Sequence, residues 1–150
     1  MERTFTALKP DAVKRNLMGR IIQRIEEKGY KIIGMKLMDV PHELAEKHYA
    51  EHKGKPFYPR LIDYITSGPV LAMVLEGDNV IMGLRHIVGK TNPDEAEAGS
   101  IRADFCTVKE YNIIHASDSK ESAEREINLW FKKEEICTDY KTALEFLMGN

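Results

Sequence analysis

Apolar residues along this chain recur at spacings that change several times, and each spacing predicts one type of element. Within residues 19–28 the isoleucines recur at helical spacing, whereas within residues 31–40 apolar and polar positions alternate as in a half-buried strand. A continuous apolar run over residues 70–75 indicates a central strand buried on both faces. The full pattern predicts strands over residues 3–8, 31–40, 70–75 and 113–114 and helices over residues 19–28, 42–49, 61–65 and 80–88.

Glycine, proline and serine residues mark where several of these elements begin or end. Gly29 and Gly89 directly follow predicted helices, a position that glycine favours. Pro41 can occupy the first turn of the helix that follows it. Ser117 or Ser119 can cap a final helix that carries an apolar stripe. These residues therefore support the element boundaries.

Two stretches lack a regular apolar pattern. Gly54, Pro56 and Pro59 predict a loop before the short helical piece at residues 61–65. Residues 90–111 show no period, and a structureless stretch of that length inside a compact domain is usually functional. We therefore expect functional residues in this second stretch.

The order of the predicted elements indicates a fold class. When the split helical piece is counted with its neighbour, the order contains βαββαβ, the ferredoxin-like split unit. We therefore expect an α+β fold, a ferredoxin-like sandwich with a four-stranded antiparallel sheet covered by helices. The chain of 150 residues has the usual size of one domain, so we expect a single domain over residues 1–150.

Composition and charge exclude several classes of protein. The formal net charge of −2 does not indicate a nucleic-acid or membrane partner, although a local basic site for a small anion remains possible. Cys106 and Cys137 form no C-x-x-C motif, so a disulfide framework or zinc site is not expected. The N-terminus lacks a signal-peptide pattern, and no apolar run is long enough to span a membrane. We therefore expect a soluble cytoplasmic protein.

His115 is the strongest candidate for chemistry. It follows the short predicted strand at residues 113–114 and precedes polar capping residues, so it is expected to be held rigidly at an edge. Neutral imidazole is nucleophilic near neutral pH, and the hydroxyls of Ser117 and Ser119 with the next helix N-terminus favour nearby negative charge. From the spacing alone a structural histidine is the favoured interpretation, and the spacing does not identify a reaction.

Three cations and one aromatic residue are further candidates. Lys9 follows the first strand, Arg85 lies on the helix before Gly89, and Arg102 lies in the stretch without a pattern. These side chains could converge on phosphate oxygens, although most Lys and Arg residues are simply solvated. Phe57, in a loop, could stack on a base or could pack into the core.

One apparent motif is misleading. Gly89-Lys90-Thr91 resembles the end of a P-loop, G-x-x-x-x-G-K-[ST], but the preceding glycine, Gly83, is one residue too far away. The residues before Gly89 also predict a helix where a P-loop requires a strand. We therefore reject a P-loop.

Several motifs together resemble the nucleoside diphosphate kinase family over nearly the whole chain, the match being less clear over residues 136–150. The signature N-x-x-H-[GA]-S-D is present as NIIHASD, and the opening T-x-x-x-K-P-D is present with one extra spacer. Their combination is specific, whereas each segment alone is weak. The segments are Thr4–Asp11, Tyr49–Pro59, Thr91–Pro93, Ser100–Phe105 and Asn112–Asp118.

The resemblance implies a role for each matching residue near the phosphates. His115 would be the residue that is phosphorylated. Lys9, Arg85, Thr91 and Arg102 would hold the β and γ phosphates, with Arg102 or Lys9 neutralising the charge that develops during transfer.

The resemblance also assigns the nucleoside end of the site. Asn112 and Lys9 would reach the sugar hydroxyls, and Phe57 would stack on the base with Tyr49 nearby. Stacking accepts every base, so broad base specificity is expected.

The remaining matching residues would support the histidine and the metal ion. Ser117 and Glu126 would orient His115 through hydrogen bonds. The cofactor would be Mg²⁺, held mainly by the nucleotide phosphates, with Asp118 able to help through water. The γ-phosphate of ATP or another triphosphate would pass to a nucleoside diphosphate in two half-reactions, which predicts ping-pong kinetics.

The partners implied by the resemblance are nucleoside triphosphates and diphosphates and further copies of the chain. Relatives form hexamers or tetramers, and we expect a hexamer. Two alternatives stay open, a nucleotide-binding scaffold without catalysis and a nucleic-acid-binding protein. The unchanged His115, Lys9 and Arg102 are unfavourable to the first, and the absence of a basic stripe is unfavourable to the second.

Overall fold

A four-stranded antiparallel sheet forms the centre of the computed structural model, which describes residues 1–149. The strand order is β2-β3-β1-β4, and each neighbouring pair is antiparallel. This is the order of a ferredoxin-like βαββαβ unit and confirms the predicted fold class. The strands are β1 (Glu2–Leu8), β2 (Lys31–Met38), β3 (Val70–Gly77) and β4 (Ile114–Ala116).

Eight α-helices and three short 3-10 helices occur within residues 1–149. The 3-10 helices lie at Ala50–His52, Pro93–Glu95 and Lys133–Glu135. The α-helices are α1 (Pro10–Lys14), α2 (Met18–Lys28), α3 (His42–His48), α4 (Tyr58–Ile65), α5 (Val80–Val88), α6 (Ile101–Phe105), α7 (Lys120–Trp130) and α8 (Ala143–Leu147).

Strand β3 explains why one segment of the sequence is continuously apolar. Successive side chains of a strand point to opposite faces of the sheet, and in β3 both faces are covered. Met73 packs in the core layer beneath α2 and α5, whereas Val74 packs in the layer beneath α3, α4 and α7. Both side chains are fully buried, so polar residues would be costly on either face of this strand.

Several predicted boundaries differ from the structure by one or two residues. Strand β2 ends at Met38, and α3 ends at His48, with Tyr49 as its C-cap. The helix predicted to follow Ser117 or Ser119 is α7, which is capped by Ser119; the side chain of Ser119 accepts a hydrogen bond from the backbone of Ser122. Boundaries depend on individual caps, which a hydrophobic period does not resolve.

Two local predictions were wrong. Pro59 does not break the chain, because it lies in the first turn of α4, where a missing N–H costs no hydrogen bond. Residues 90–111 are not structureless, because they contain the 3-10 helix at Pro93–Glu95 and helix α6. A helix of five residues is too short to display an apolar period, so this pattern could not be read from the sequence.

The remaining expectations concern the two cysteines and the presence of a membrane-spanning helix. Cys106 and Cys137 are both free, the first buried and the second exposed. Among residues 1–149, no helix combines the length and the apolar character needed to cross a membrane.

Candidate active site

His115 lies in the middle of β4, held by backbone contacts with β1. Its register partner is Ala7, and Oγ1 of Thr6 donates a hydrogen bond to the carbonyl of His115 at 2.7 Å. Ile113, immediately before the strand, has a φ of 58°, a strained value for a β-branched residue. Ile114 and Ala116 are buried in the layer beneath α5, so the alternation of the strand turns the side chain of His115 to the opposite face. The strand therefore fixes where the imidazole lies.

A carboxylate fixes the orientation of the imidazole ring. Nε2 of His115 lies 2.8 Å from Oε1 of Glu126 on α7, and Oγ of Ser117 donates to the same oxygen at 2.6 Å. Burial raises the pKa of the Glu126 carboxyl, but the hydrogen bonds from His115 and Ser117 and the nearby imidazoles outweigh burial, and the net pKa is lowered. An ionised Glu126 accepts a hydrogen bond from Nε2–H of His115. The proton of the neutral imidazole is therefore on Nε2, and Nδ1 carries the lone pair.

Lys9 and Asn112 form the floor of the site. Both are buried, and Nζ of Lys9 donates to Oδ1 of Asn112 at 2.8 Å. Burial, and then the charge of Arg102, lower the pKa of Lys9 to about 8. A buried ammonium beside another cation is unfavourable unless an anion binds there.

Two arginines are held by backbone carbonyls rather than by carboxylates. The guanidinium of Arg102 donates to the carbonyls of Ile114 at 2.6 Å and Gly89 at 3.0 Å. Burial lowers the pKa of Arg102 to about 10. Arg85 on α5 donates to the carbonyl of Ala116 at 3.0 Å. Among residues 1–149, none of Lys9, Arg85 and Arg102 forms a salt bridge with an acidic residue.

These side chains line one pocket of about 280 Å³. Three buried or half-buried cations lie in this pocket near the histidine, and none of them is paired with a carboxylate among residues 1–149. An anion with several oxygens, such as a polyphosphate, has the chemistry that this pocket can hold. The lining residues are Lys9, His48, Tyr49, Glu51, His52, Arg85, Thr91, Arg102, Asn112, His115, Asp118, Ser122 and Glu126.

The structure brings together nearly all of the residues that the sequence predicted for the site. Ser117 is fully buried and lies behind the pocket, where it contacts Glu126. Phe57 does not line the pocket. It is 45% exposed at the start of α4, and its ring centroid lies 5.4 Å from that of His52, which does line the pocket. Phe57 therefore lies at the outer rim.

The sequence interpretation missed four lining residues, of which His48 is the most buried. Nδ1 of His48 accepts a hydrogen bond from Nε1 of Trp130 at 3.1 Å, and its ring centroid lies 4.7 Å from that of His115. Burial, and then His115, lower the pKa of His48 to about 3, so this ring is neutral. The only sequence signal was its position next to Tyr49. The other three residues are Glu51, His52 and Ser122.

Ligand atoms of His48, His115 and Glu126 lie within 4.8 Å of one another, a spacing that a metal ion could use. The hydrogen bonds are unfavourable to this interpretation. Trp130 occupies the lone pair on Nδ1 of His48, which leaves the proton on Nε2, and Glu126 already accepts two hydrogen bonds. The cluster therefore orients the two imidazoles and is not a cage for a metal ion.

The fold and the site define the class of protein. A histidine held beside a pocket with three unpaired cations supplies the chemical groups that a phosphotransferase requires, a nucleophile and charges for phosphate oxygens.

Comparison with known proteins identifies the family. The family model described as nucleoside diphosphate kinase matches residues 2–136. A nucleoside diphosphate kinase of Staphylococcus haemolyticus is 62% identical over 138 residues, which cover 92% of this chain and 93% of the relative. One of Brevibacillus brevis is 59% identical over 142 residues, which cover 95% of this chain and 97% of the relative.

Solved structures agree with the sequence comparison. A halophilic nucleoside diphosphate kinase from Halobacterium salinarum in complex with CDP superimposes with a TM-score of 0.93 at 43% identity, covering 97% of each chain. A protein of the same family from Babesia bovis gives a TM-score of 0.94 at 44% identity, covering 99% of each chain. The present chain belongs to the nucleoside diphosphate kinase family. It transfers the γ-phosphate of a nucleoside triphosphate to a nucleoside diphosphate.

Proposed function

We propose that the transfer runs through a covalent phosphohistidine at Nδ1 of His115. The observation that carries this proposal is the 2.8 Å contact between Nε2 of His115 and Oε1 of Glu126. Because the carboxylate accepts a hydrogen bond from Nε2–H, the proton of the neutral ring stays on Nε2 and Nδ1 keeps its lone pair without a prior deprotonation. Among residues 1–149, Nδ1 has no hydrogen-bond partner, so the lone pair is available to an electrophile in the pocket.

In the first half-reaction the Nδ1 lone pair attacks the γ-phosphorus of a nucleoside triphosphate. The N–P bond forms, the bond between the γ-phosphorus and the β–γ bridging oxygen breaks, and the nucleoside diphosphate leaves with the electron pair. The imidazole becomes positively charged, and the carboxylate of Glu126 stabilises that charge. In the second half-reaction a terminal oxygen of an acceptor diphosphate attacks the phosphorus; the O–P bond forms, the N–P bond breaks, and its electron pair returns to Nδ1 of His115. These steps give ping-pong kinetics.

The cations of the pocket supply the electrostatic part of catalysis. We propose that Lys9, Arg85, Thr91 and Arg102 bind the phosphate oxygens. Negative charge spreads over the equatorial oxygens of the transferring group, and fixed cations in a buried site stabilise it strongly. The absence of a carboxylate partner for each cation among residues 1–149 supports this assignment, because the substrate then supplies the missing negative charge.

We propose that the nucleoside extends from the floor of the pocket, where the sugar lies, to the outer rim, where the base lies. We propose that Asn112, together with Lys9, contacts the sugar hydroxyls and that Phe57 stacks on the base, with Tyr49 nearby. The ring of Phe57 is exposed and has no hydrogen-bonding group that could distinguish one base from another. Stacking on such a face tolerates all bases, so we propose broad base specificity.

A magnesium ion fits the acidic side of the pocket. Hydrogen bonding by Ser122 lowers the pKa of Asp118, so that this pocket-lining carboxylate is ionised. Because Glu126 is held by His115 and Ser117, Asp118 is the more available oxygen donor, and we propose that it contacts Mg²⁺ through water. The ion would offset negative charge on the β and γ phosphates.

The cellular form of the enzyme is proposed as a homo-oligomer in the cytoplasm, with residues 1–150 as a single domain. Exposed apolar side chains on α8, among them Phe146 and Leu147, support self-association. We propose a hexamer. The free thiols of Cys106 and Cys137 suit a reducing compartment.

A labelling experiment tests the proposed mechanism. Purified protein is mixed with γ-labelled ATP and Mg²⁺ and is then chased with GDP. We expect acid-labile, base-stable label on the protein, which the chase transfers to GTP and which is absent from His115→Ala. GTP formed without protein label would mean direct transfer between nucleotides. Nucleotide binding with neither label nor GTP would favour the binding scaffold.

A further inference from the structure

His48 is a buried imidazole at the active site for which the proposed phosphohistidine route has no use. It is 5% exposed, lies at the C-terminal end of α3 and lines the pocket. Its ring packs edge to face against that of His115, with centroids 4.7 Å apart and planes at 81°. A second imidazole at this distance from a nucleophile needs a physical account.

Trp130 determines which nitrogen of His48 carries the proton. Indole Nε1–H is a donor only, and it lies 3.1 Å from Nδ1 of His48. Nδ1 must therefore be the acceptor, and the proton of the neutral ring is on Nε2. This bond is buried and joins α3 to α7, so the tautomer is determined by the fold.

The Nε2–H group of His48 is left without a partner. Among residues 1–149 no hydrogen bond to this nitrogen is formed, although the ring is buried. The ring lines the pocket, so this N–H is free to donate to an acceptor that enters the pocket. The ring centroid of His48 lies 4.7 Å from that of His115, so an acceptor bound in the pocket against His48 would lie beside the proposed nucleophile.

We propose that Nε2–H of His48 donates a hydrogen bond to an oxygen of the phosphoryl group during its transfer to and from His115. This inference rests on the proposed phosphohistidine route and adds a catalytic residue to it. The donor is neutral, so it binds an anionic oxygen without adding another positive charge to a pocket that already holds Lys9, Arg85 and Arg102. Trp130 is then a positioning residue that keeps the donor proton on Nε2.

Two substitutions of His48 separate hydrogen bonding from packing. His48→Gln places an amide N–H near the position of Nε2 but removes the ring, whereas His48→Phe keeps a ring and removes the donor. The rate of His115 phosphorylation by ATP is measured in a single turnover by rapid quench, and ADP binding is measured by calorimetry. We expect His48→Phe to lower the phosphorylation rate about a hundredfold, the usual loss for one transition-state donor. His115 should be phosphorylated faster in His48→Gln than in His48→Phe. ADP binding should be unchanged in both variants, because ADP lacks the phosphoryl group that is transferred.

Substitution of Trp130 provides an independent test that leaves His48 in place. In Trp130→Phe the indole N–H is lost, the proton of His48 can move to Nδ1, and the phosphorylation rate should fall between those of wild type and His48→Phe. The proposal is overturned if His48→Phe phosphorylates as fast as wild type or faster than His48→Gln, because packing alone would then explain the residue. A wild-type protein that is never labelled would instead refute the phosphohistidine route itself.

Discussion

Glu126 accepts hydrogen bonds from His115 at 2.8 Å and from Ser117 at 2.6 Å on the same carboxylate oxygen. The carboxylate lies on α7 and the two donors lie on or directly after β4, so the contact joins a helix to the edge of the sheet. It determines both the tautomer and the direction of the imidazole. The proposed nucleophile is thus oriented before any substrate binds.

The first prediction concerns the charge of Glu126. In Glu126→Gln the amide cannot stabilise an imidazolium, so phosphorylation of His115 should slow by roughly 10- to 100-fold, the usual effect of losing such a supporting partner. Single-turnover labelling with γ-labelled ATP measures this rate. Glu124→Gln, an exposed position on the same helix, is the matched control and should label at the wild-type rate. Equal rates in the two variants would remove Glu126 from the mechanism.

The second prediction concerns the nucleophile. His115→Asn should abolish phosphate exchange between ATP and GDP because no side chain remains to carry the phosphoryl group. It should still bind ADP, since the cations that hold the phosphates are unchanged. A coupled assay measures turnover, and calorimetry measures binding. His42→Asn, an exposed histidine outside the pocket, should behave as wild type, and measurable exchange in His115→Asn would contradict the covalent route.

The third prediction is a pH dependence caused by Lys9. Because the pKa of Lys9 is lowered to about 8, its charged form is lost as pH rises through that value in the free enzyme. The kcat/KM for ATP, which reports free-enzyme ionisations, should therefore fall above about pH 8. In Lys9→Arg the guanidinium stays charged, so the fall in kcat/KM above about pH 8 should disappear. The change in side-chain shape should still reduce kcat/KM at all pH values.

The control for this pH profile is Lys14→Arg, at an exposed lysine on α1. It should keep the wild-type fall in kcat/KM. Bound phosphates favour the charged ammonium, so the fall in kcat should be shifted to higher pH than the fall in kcat/KM. A Lys9→Arg profile identical in shape to that of wild type would show that another group titrates.

The fourth prediction tests the packing of α5 against the chain that enters β2. A Cβ atom at Gly83 would overlap the hydroxyl of Tyr30, so Tyr30 would have to move. Overpacking costs roughly 1–3 kcal/mol and the gain in helix propensity offsets about 1 kcal/mol of it, so Gly83→Ala should lower the free energy of unfolding by roughly 0–2 kcal/mol. Gly19→Ala on α2, where nothing lies within 4 Å, should leave stability unchanged or raise it by up to about 1 kcal/mol. Thermal unfolding followed by circular dichroism compares the two variants, and equal melting temperatures would contradict the packing.

The sequence alone determined the sheet, most of the helices and the composition of the site. The isoleucine spacing in residues 19–28, the continuous apolar run at residues 70–75 and the motif around His115 are local patterns, which neighbouring residues in the chain specify directly. Lys9 and Arg102 were recognisable from their motifs and Arg85 from the family resemblance as a whole, although their positions in the chain are far apart.

Only the tertiary structure decided how those residues act. Arg102 lies on a helix too short to show an apolar period. Its guanidinium is oriented by hydrogen bonds to the carbonyls of Gly89 and Ile114, which lie in other segments of the chain. The tautomer of His48 depends on Trp130, which is 82 positions away in the chain. Hydrogen bonds of this kind join elements that meet only when the sheet and its helices pack, so no local pattern specifies them. The sequence thus identified the chemical groups, and their protonation and orientation came from packing.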